Sequence, residues 1–291
     1  MKTLLCWLFA AVLLLVFFSV PAFAQVGPGV GIGTADPDTA LIFLSNDVGP
    51  GPPDNVFPYA VPNPNLTWLM GDWNGDGVDT IGVYDPPASF FLLRNTNSAG
   101  PPDAGVFSFG PPGLPPLVGD WDGDGVDTIG VYDPATSTFF LRNSNMAGAP
   151  DISPFTFGAP GWLPVVGDWD GNGVDTIGIF DPANAFFYLR NSNTAGTPDI
   201  GPFPFGVPGW RPVAGDWDGD GIDSIGVFDP ASATWFLRNS NTAGAPDIAP
   251  FIFGQPGDQP LVWNPVPEPT SIALLALGAI AIAAAVRRRA V

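Results

Sequence analysis

The sequence contains no histidine, a single cysteine and a single lysine among its 291 residues. The cysteine is Cys6, in the apolar segment at the start of the chain, so the rest of the chain has no thiol for catalysis or for a disulfide. Acidic residues are abundant by contrast: 28 Asp and Glu face 9 Lys and Arg, which gives a net charge of −19. Such a chain repels nucleic acid and favours cations, which excludes nucleic-acid binding.

Residues 1–24 predict a secretory signal peptide. Lys2 precedes a short apolar run, and the segment ends in the small-residue pattern PAFA at Ala24. This order of charge, apolar core and small residues is typical of a cleaved export signal. An uncleaved N-terminal anchor is the alternative interpretation.

The C-terminal segment 265–291 contains an apolar run from Ser271 to Val286, followed directly by three arginines. Basic residues behind an apolar run predict a transmembrane helix with a cytoplasmic end. The PEP triplet, the apolar run and the basic tail together resemble the PEP-CTERM sorting signal of Gram-negative bacteria. The residues that carry this resemblance are Pro267, Glu268, Pro269, Arg287, Arg288 and Arg289.

The resemblance implies recognition by an exosortase and cleavage near the triplet. It also implies that the chain is transiently anchored in the inner membrane and is then delivered to the cell surface or an exopolysaccharide matrix. A plain C-terminal membrane anchor is the alternative interpretation of the same segment.

The middle of the chain repeats with a period of 48 residues, since the tripeptide LRN recurs at Leu93, Leu141, Leu189 and Leu237. Without a period, 37 glycines and 36 prolines would indicate disorder. Each unit instead contains four short runs rich in β-branched and aromatic residues. In the second unit these runs are 116–121, 128–133, 137–143 and 153–158. A period in the forties with four strands per unit is typical of a β-propeller blade.

The number of units predicts an all-β fold, a five-bladed β-propeller over residues 25–264. Four complete repeats begin near residues 71, 119, 167 and 215. Residues 28–70 supply the second, third and fourth strands of one more blade, and residues 259–264 supply its first strand. This shared blade closes the ring and removes exposed sheet edges. We expect a signal helix before the propeller and a transmembrane helix after it.

Each complete repeat opens with an acidic loop that predicts a calcium site. In the second repeat Asp120, Asp122 and Asp124 alternate along the chain, with a glycine sixth, a carbonyl seventh and another aspartate eighth. Calcium takes six to eight oxygen ligands, and the glycine permits the sharp turn that wraps the loop around the ion. The predicted ligands of four structural Ca²⁺ sites are Asp72, Asn74, Asp76, Val78, Asp79, Asp120, Asp122, Asp124, Val126, Asp127, Asp168, Asp170, Asn172, Val174, Asp175, Asp216, Asp218, Asp220, Ile222 and Asp223.

These loops resemble those of the FG-GAP (integrin-type, VCBS-like) propeller repeats, whose calcium loops follow Asp-x-Asp-x-Asp-Gly-x-x-Asp. The resemblance covers all five units as blades and four of them as metal loops. In those relatives position nine is a carboxylate, whereas here it is Thr80, Thr128, Thr176 or Ser224. Because neighbouring strand residues point to opposite faces, either the strand shifts register or a hydroxyl or water completes the shell. We therefore expect weak calcium affinity, roughly 10⁻⁴ to 10⁻³ M.

Other recurring residues predict structural roles. The loop tryptophans are expected to pack between blades; they are Trp73, Trp121, Trp169 and Trp217. The recurring arginines are expected to pair with a nearby aspartate, with that of the Asp-Pro dipeptide as the candidate; they are Arg94, Arg142, Arg190 and Arg238. Trp162 and Trp210 precede first strands, where they either stack on a sugar ring or cover an apolar surface, and we favour the second interpretation.

The uniformity of the repeats favours a scaffold over an enzyme. A glycosidase on this fold would need paired carboxylates in a central pocket, whereas nearly every aspartate here is matched by its copies in other repeats. We expect an exported, calcium-stabilised propeller that acts in adhesion or matrix contact, with an extracellular polysaccharide or a surface protein as partner. A carbohydrate-binding, lectin-like propeller is the alternative.

Overall fold

The computed structural model describes residues 29–265, which form twenty strands in five four-stranded antiparallel sheets. The strands are numbered in chain order and each sheet is one blade. The closing blade contains β1 (Gly31–Asp36), β2 (Leu41–Ser45), β3 (Asn55–Pro58) and β20 (Gln259–Trp263). Blade 1 contains β4 (Thr67–Gly71), β5 (Thr80–Asp85), β6 (Phe90–Leu93) and β7 (Gly105–Ser108). Blade 2 contains β8 (Pro116–Gly119), β9 (Thr128–Asp133), β10 (Thr138–Leu141) and β11 (Phe155–Thr156). Blade 3 contains β12 (Leu163–Gly167), β13 (Thr176–Asp181), β14 (Phe186–Leu189) and β15 (Ile200–Pro204). Blade 4 contains β16 (Arg211–Gly215), β17 (Ser224–Asp229), β18 (Thr234–Leu237) and β19 (Ile248–Ile252).

The first strands line the centre of a ring. Strands β4, β8, β12, β16 and β20 contact one another in turn, and β20 contacts β4 to complete the circle. The prediction of a five-bladed propeller is therefore confirmed. The predicted signal helix and transmembrane helix lie outside the described residues. Within residues 29–265, no helix has the length and apolar character needed to span a bilayer.

The second strand of each blade is an almost continuous apolar run in the sequence, and its position in the fold explains why. In β9 (TIGVYD) all residues but the last are buried, because this strand lies inside its blade and packs against a neighbouring blade on each face. In β10 buried and half-buried positions alternate, as expected for a strand nearer the rim. The pattern of apolar and polar residues in each strand thus indicates how far the strand lies from the propeller axis.

The loop tryptophans pack between blades, as predicted. Trp73 of blade 1 is buried in one apolar cluster with Ile129 and Val131 of blade 2, and its indole N–H donates to the Thr80 carbonyl at 3.0 Å. The equivalent clusters join Trp121 to blade 3, Trp169 to blade 4 and Trp217 to the closing blade. Apolar contact therefore links every consecutive pair of complete blades.

The closing blade is assembled from both ends of the described chain. Strand β20 pairs antiparallel with β1, with Gly31 opposite Trp263 and Ala35 opposite Gln259. A Cβ on Gly31 would lie 2.4 Å from the Ser45 carbonyl oxygen and 2.6 Å from the Trp263 indole nitrogen, so only glycine fits under this indole. The Trp263 N–H also donates to the Ser45 carbonyl at 3.1 Å. The predicted shared blade is confirmed.

The disc has two distinct faces. The acidic face carries the loops between first and second strands, residues 72–79, 120–127, 168–175 and 216–223, together with the connections between third and fourth strands. The turn face carries the Asp-Pro turns between second and third strands and the linkers that lead from one blade to the next.

Candidate metal sites

The first aspartate of each acidic loop organises the loop backbone. The Asp120 carboxylate accepts N–H bonds from Gly123 at 2.8 Å, Asp124 at 3.2 Å and Gly125 at 2.8 Å. Gly123 and Gly125 have φ of 78° and 84°, a conformation that side chains disfavour and glycine adopts freely. The two glycines thus turn successive N–H groups toward one carboxylate.

The acidic side chains converge in the two loops that have aspartate at positions one, three and five. Carboxylate oxygens of Asp120, Asp122 and Asp124 all lie within 4.8 Å of one another, and the same is true of Asp216, Asp218 and Asp220. Calcium–oxygen distances of about 2.3–2.6 Å place ligands on opposite sides of the ion about 5 Å apart. This set of oxygen donors therefore suits a metal ion in each of these two loops.

The asparagine-containing loops keep the same backbone arrangement. Asp72 accepts N–H bonds from Gly75 at 2.7 Å and Gly77 at 2.6 Å. Asn172 of the third loop accepts the Val174 N–H at 2.8 Å through its side-chain oxygen, just as Asp124 accepts the Val126 N–H at 2.9 Å. Asparagine therefore replaces aspartate without altering the turn, and removes one negative charge from the site.

One carboxylate of the fourth acidic loop lies in an environment that disfavours its charged form. Burial, followed by the charges of Asp220 and Asp216, raises the pKa of Asp218 above its usual value. Two unit charges 4.8 Å apart repel by about 0.9 kcal/mol even in water. A bound cation would convert this repulsion into attraction, so the folded loop is suited to a divalent ion.

The position-eight aspartates lie at the boundary between blades. The Asp127 carboxylate accepts the N–H of Asp72 in the preceding blade at 2.8 Å, and the Asp127 N–H donates to the Asp72 carbonyl at 2.8 Å. The same reciprocal pair of bonds, named the clasp below, joins Asp175 to Asp120, Asp223 to Asp168 and Asp79 to Asn264. The clustered carboxylates of the second and fourth loops do not include Asp127 or Asp223.

The clasp carboxylates sit in an unfavourable environment for charge. Asp79 is buried, and the other three are half-buried. Burial, and next the charge of Asp175, raises the pKa of Asp127, while the Asp72 N–H opposes this shift. Burial likewise raises the pKa of Asp79, Asp175 and Asp223. Each carboxylate therefore holds its neighbour's backbone at the expense of its own solvation.

A recurring asparagine supports each clasp, and sequence reasoning did not identify it. The Asn145 side-chain amide donates to the Asp127 carbonyl at 2.8 Å. Asn97, Asn193 and Asn241 make the equivalent bond to the position-eight residue of their own blades. The recurrence of N-x-N after each LR dipeptide was the available signal.

The recurring arginines pair with an aspartate, as predicted, but the Asp-Pro candidate was wrong. The Arg142 guanidinium lies 3.6 Å from Asp151 and donates to the carbonyls of Met146, Ala147 and Ala149 in its own loop. Arg94, Arg190 and Arg238 pair in the same way with Asp103, Asp199 and Asp247. The Asp-Pro aspartate instead closes its own turn, since Asp133 accepts from the Ala135 N–H at 2.9 Å and the Thr136 hydroxyl at 2.7 Å.

Trp162 and Trp210 cover apolar surface on the turn face. Each is half-buried. The Trp162 ring stacks on Tyr188 with centroids 4.6 Å apart, and the Trp210 ring stacks on Phe236 with centroids 4.3 Å apart. One face of each indole is thus engaged within the propeller, which supports the packing interpretation over sugar stacking.

The fold and the loops define a class: a five-bladed β-propeller with four acidic loops on one face. Residues 265–289 match the family model of the PEP-CTERM protein-sorting motif, which confirms the predicted sorting signal. This motif indicates an exported protein that an exosortase processes after transient membrane anchoring in a Gram-negative bacterium. Neither the curated proteins nor the solved structures contain a match to the chain.

Proposed function

We propose that the propeller is a calcium-stabilised scaffold that acts outside the cell in adhesion or matrix contact. The observation that carries this proposal is the convergence of three carboxylates within 4.8 Å on glycine-turned loops of blades 2 and 4, in an exported chain whose blades 1 and 3 carry the same loop with one asparagine. One site in each of the four complete blades suits a structural role, because four similar sites stiffen four similar loops.

The predicted ligands divide into two groups under this proposal. The side chains at positions one, three and five supply the ion's oxygens, together with the position-seven carbonyls of Val78, Val126, Val174 and Ile222. The position-eight aspartates hold the neighbouring blade, so water or the position-nine hydroxyl completes the shell. FG-GAP-like repeats use a similar loop with a carboxylate at position nine, and we propose this chain as a divergent example of that design.

Calcium binding predicts a stability difference that a thermal melt of residues 25–264 measures, in calcium and in chelator. Calcium at 100 times Kd stabilises the fold by about 2.7 kcal/mol per independent site, which corresponds to roughly 5–10 °C in Tm for a domain of this size. Magnesium should give a smaller shift, because it demands octahedral geometry and dehydrates reluctantly.

A matched pair of charge-removing variants locates the effect. Asp218→Asn removes a carboxylate from the fourth loop, whereas Asp38→Asn removes an exposed carboxylate from a turn of the closing blade. Calcium titration should count four sites in the parent and in Asp38→Asn, with one site weakened in Asp218→Asn. An identical Tm in calcium and in chelator would contradict the proposal.

A lectin-like function is the competing proposal, and it depends on Trp162 and Trp210. Because both indoles stack on neighbouring rings, the structure supports it less well. Glycan-array binding that requires calcium and disappears in Trp162→Ala and Trp210→Ala would favour it. We propose no catalytic role, since the acidic clusters among residues 29–265 belong to repeated loops.

A further inference from the structure

The sorting motif begins at the acidic face of the disc. Strand β20 ends at Trp263, and the next residue, Asn264, forms a clasp with Asp79 of the first acidic loop: the Asp79 N–H donates to the Asn264 carbonyl at 3.0 Å and the Asp79 carboxylate accepts the Asn264 N–H at 2.8 Å. The motif match starts at residue 265. Asn264, which hydrogen bonds hold to the first acidic loop, is therefore followed directly by the sorting segment.

The tether between this fixed point and the membrane segment is short. Six residues lie between Asn264 and Ser271, where the apolar run begins, so seven Cα–Cα intervals join the two positions. A fully extended chain spans at most about 3.6 Å per residue, so the acidic face lies no more than about 25 Å from the start of the apolar run. The polar headgroup layer occupies about 5–8 Å of that distance.

The tether is too short to present the opposite face. Strand β20 is the innermost strand of its blade, so a reversed disc requires the tether to run the length of a strand, either along the axis or around the rim. Running the length of a six-residue strand takes about 20 Å, and the rim path adds about 14 Å for three strand spacings. With the headgroup layer of about 5–8 Å, the axial path takes about 25–28 Å and the rim path about 39–42 Å, against a reach of at most about 25 Å.

We infer that the disc is held with its acidic face nearer the lipid headgroups than its turn face while the sorting segment is in the membrane. The start of the described chain agrees with this orientation, because Gly31 lies opposite Trp263 at the same face. Trp162, Trp210 and the Asp-Pro turns then lie on the face farther from the headgroups.

Resonance energy transfer to headgroup-labelled lipid tests this orientation in residues 25–291, the predicted form without the signal peptide, which contains no cysteine, reconstituted in vesicles of zwitterionic lipid. Donor dyes are attached to Ala195→Cys on the acidic face or to Ala183→Cys on the turn face. Both alanines are exposed and belong to blade 3. We expect several-fold greater transfer from residue 195 than from residue 183. Ala243→Cys and Ala231→Cys repeat the comparison in blade 4, where both alanines are also exposed.

A tether variant separates this explanation from lipid affinity. Twenty Gly-Ser residues inserted after Pro265 form a flexible coil, which should abolish the difference between the two dyes. Equal or reversed transfer without the insert would overturn the inference. A difference that survives the insert would overturn the tether argument, and a difference seen only with a processing enzyme present would assign the face to a protein partner.

Discussion

Four junctions between blades contain the clasp, and the fifth does not. Where blade 4 meets the closing blade, the position equivalent to Asp127 is Val30, which is buried in an apolar cluster with Val213 and Trp217. At the next junction Asn264 replaces the first loop aspartate, yet the clasp to Asp79 persists because it uses the Asn264 backbone. The polar clasp thus joins two blades wherever an aspartate directly precedes the second strand of a blade. At the junction between blade 4 and the closing blade, Val30 stands at this position and packs against apolar residues of blade 4. The closing blade itself is held together by the pairing of β1 with β20.

The closing blade should be the most sensitive part of the ring. Trp263→Ala removes a buried indole that fills the space above Gly31, and we expect a loss of about 3–5 kcal/mol in the free energy of unfolding. Trp210→Ala, which removes a half-buried indole stacked on one ring, should lose only about 1–2 kcal/mol. Urea unfolding measures both, and equal losses would contradict the assignment of closure to Trp263.

A clasp variant should have a smaller effect. Asp127→Ala leaves the Asp72 N–H without its acceptor, which costs about 1–3 kcal/mol. Asp127→Asn keeps an acceptor oxygen for the Asp72 N–H, so its loss should be less than that of Asp127→Ala. Urea unfolding at pH 7 with chelator compares the two, and a larger loss for Asp127→Asn would show that the charge itself is required.

The pH dependence of the metal-free protein should be the smallest effect. The pKa of Asp127 is raised on folding, so its stabilising contribution is complete below about pH 4 and declines as pH rises toward the folded pKa of about 8. Because Asp127 is half-buried, we expect the slope per group to stay well below the limit of about 1.4 kcal/mol per pH unit. Asp127→Asn should reduce this decline in chelator-treated samples. A parent whose stability rises over the same range would contradict the assigned environment.

The sequence was sufficient for the architecture because the repeat encodes local features. Alternating apolar residues predicted β10, and an apolar run buried on both faces predicted β9. The unmatched segments at the two ends of the repeats predicted the shared blade. The conformation of the loop backbone could also be predicted from the sequence, because the glycines and the first aspartate lie within six residues of one another.

The clasp could not be read from a repeat in isolation. Asp127 and Asp72 are 55 residues apart, so their contact depends on how one blade stacks on the next. The local pattern therefore placed the position-eight aspartates among the predicted metal ligands and left open whether the strand shifts register or a hydroxyl or water completes the shell. The arginine assignment had the same weakness: Asp133 and Asp151 both lie nine residues from Arg142, and only the conformation of the 142–151 loop selects Asp151.

The pairing of Gly31 with Trp263 has a consequence for chain connectivity. Because the two ends of the ring are adjacent strands of one sheet, a short peptide could join them and the chain could be reopened elsewhere, giving a circular permutant with the same five blades. Reopening at the Asp-Pro turn of blade 2 would move both termini to the turn face. A sorting segment fused there would tether the inverted disc.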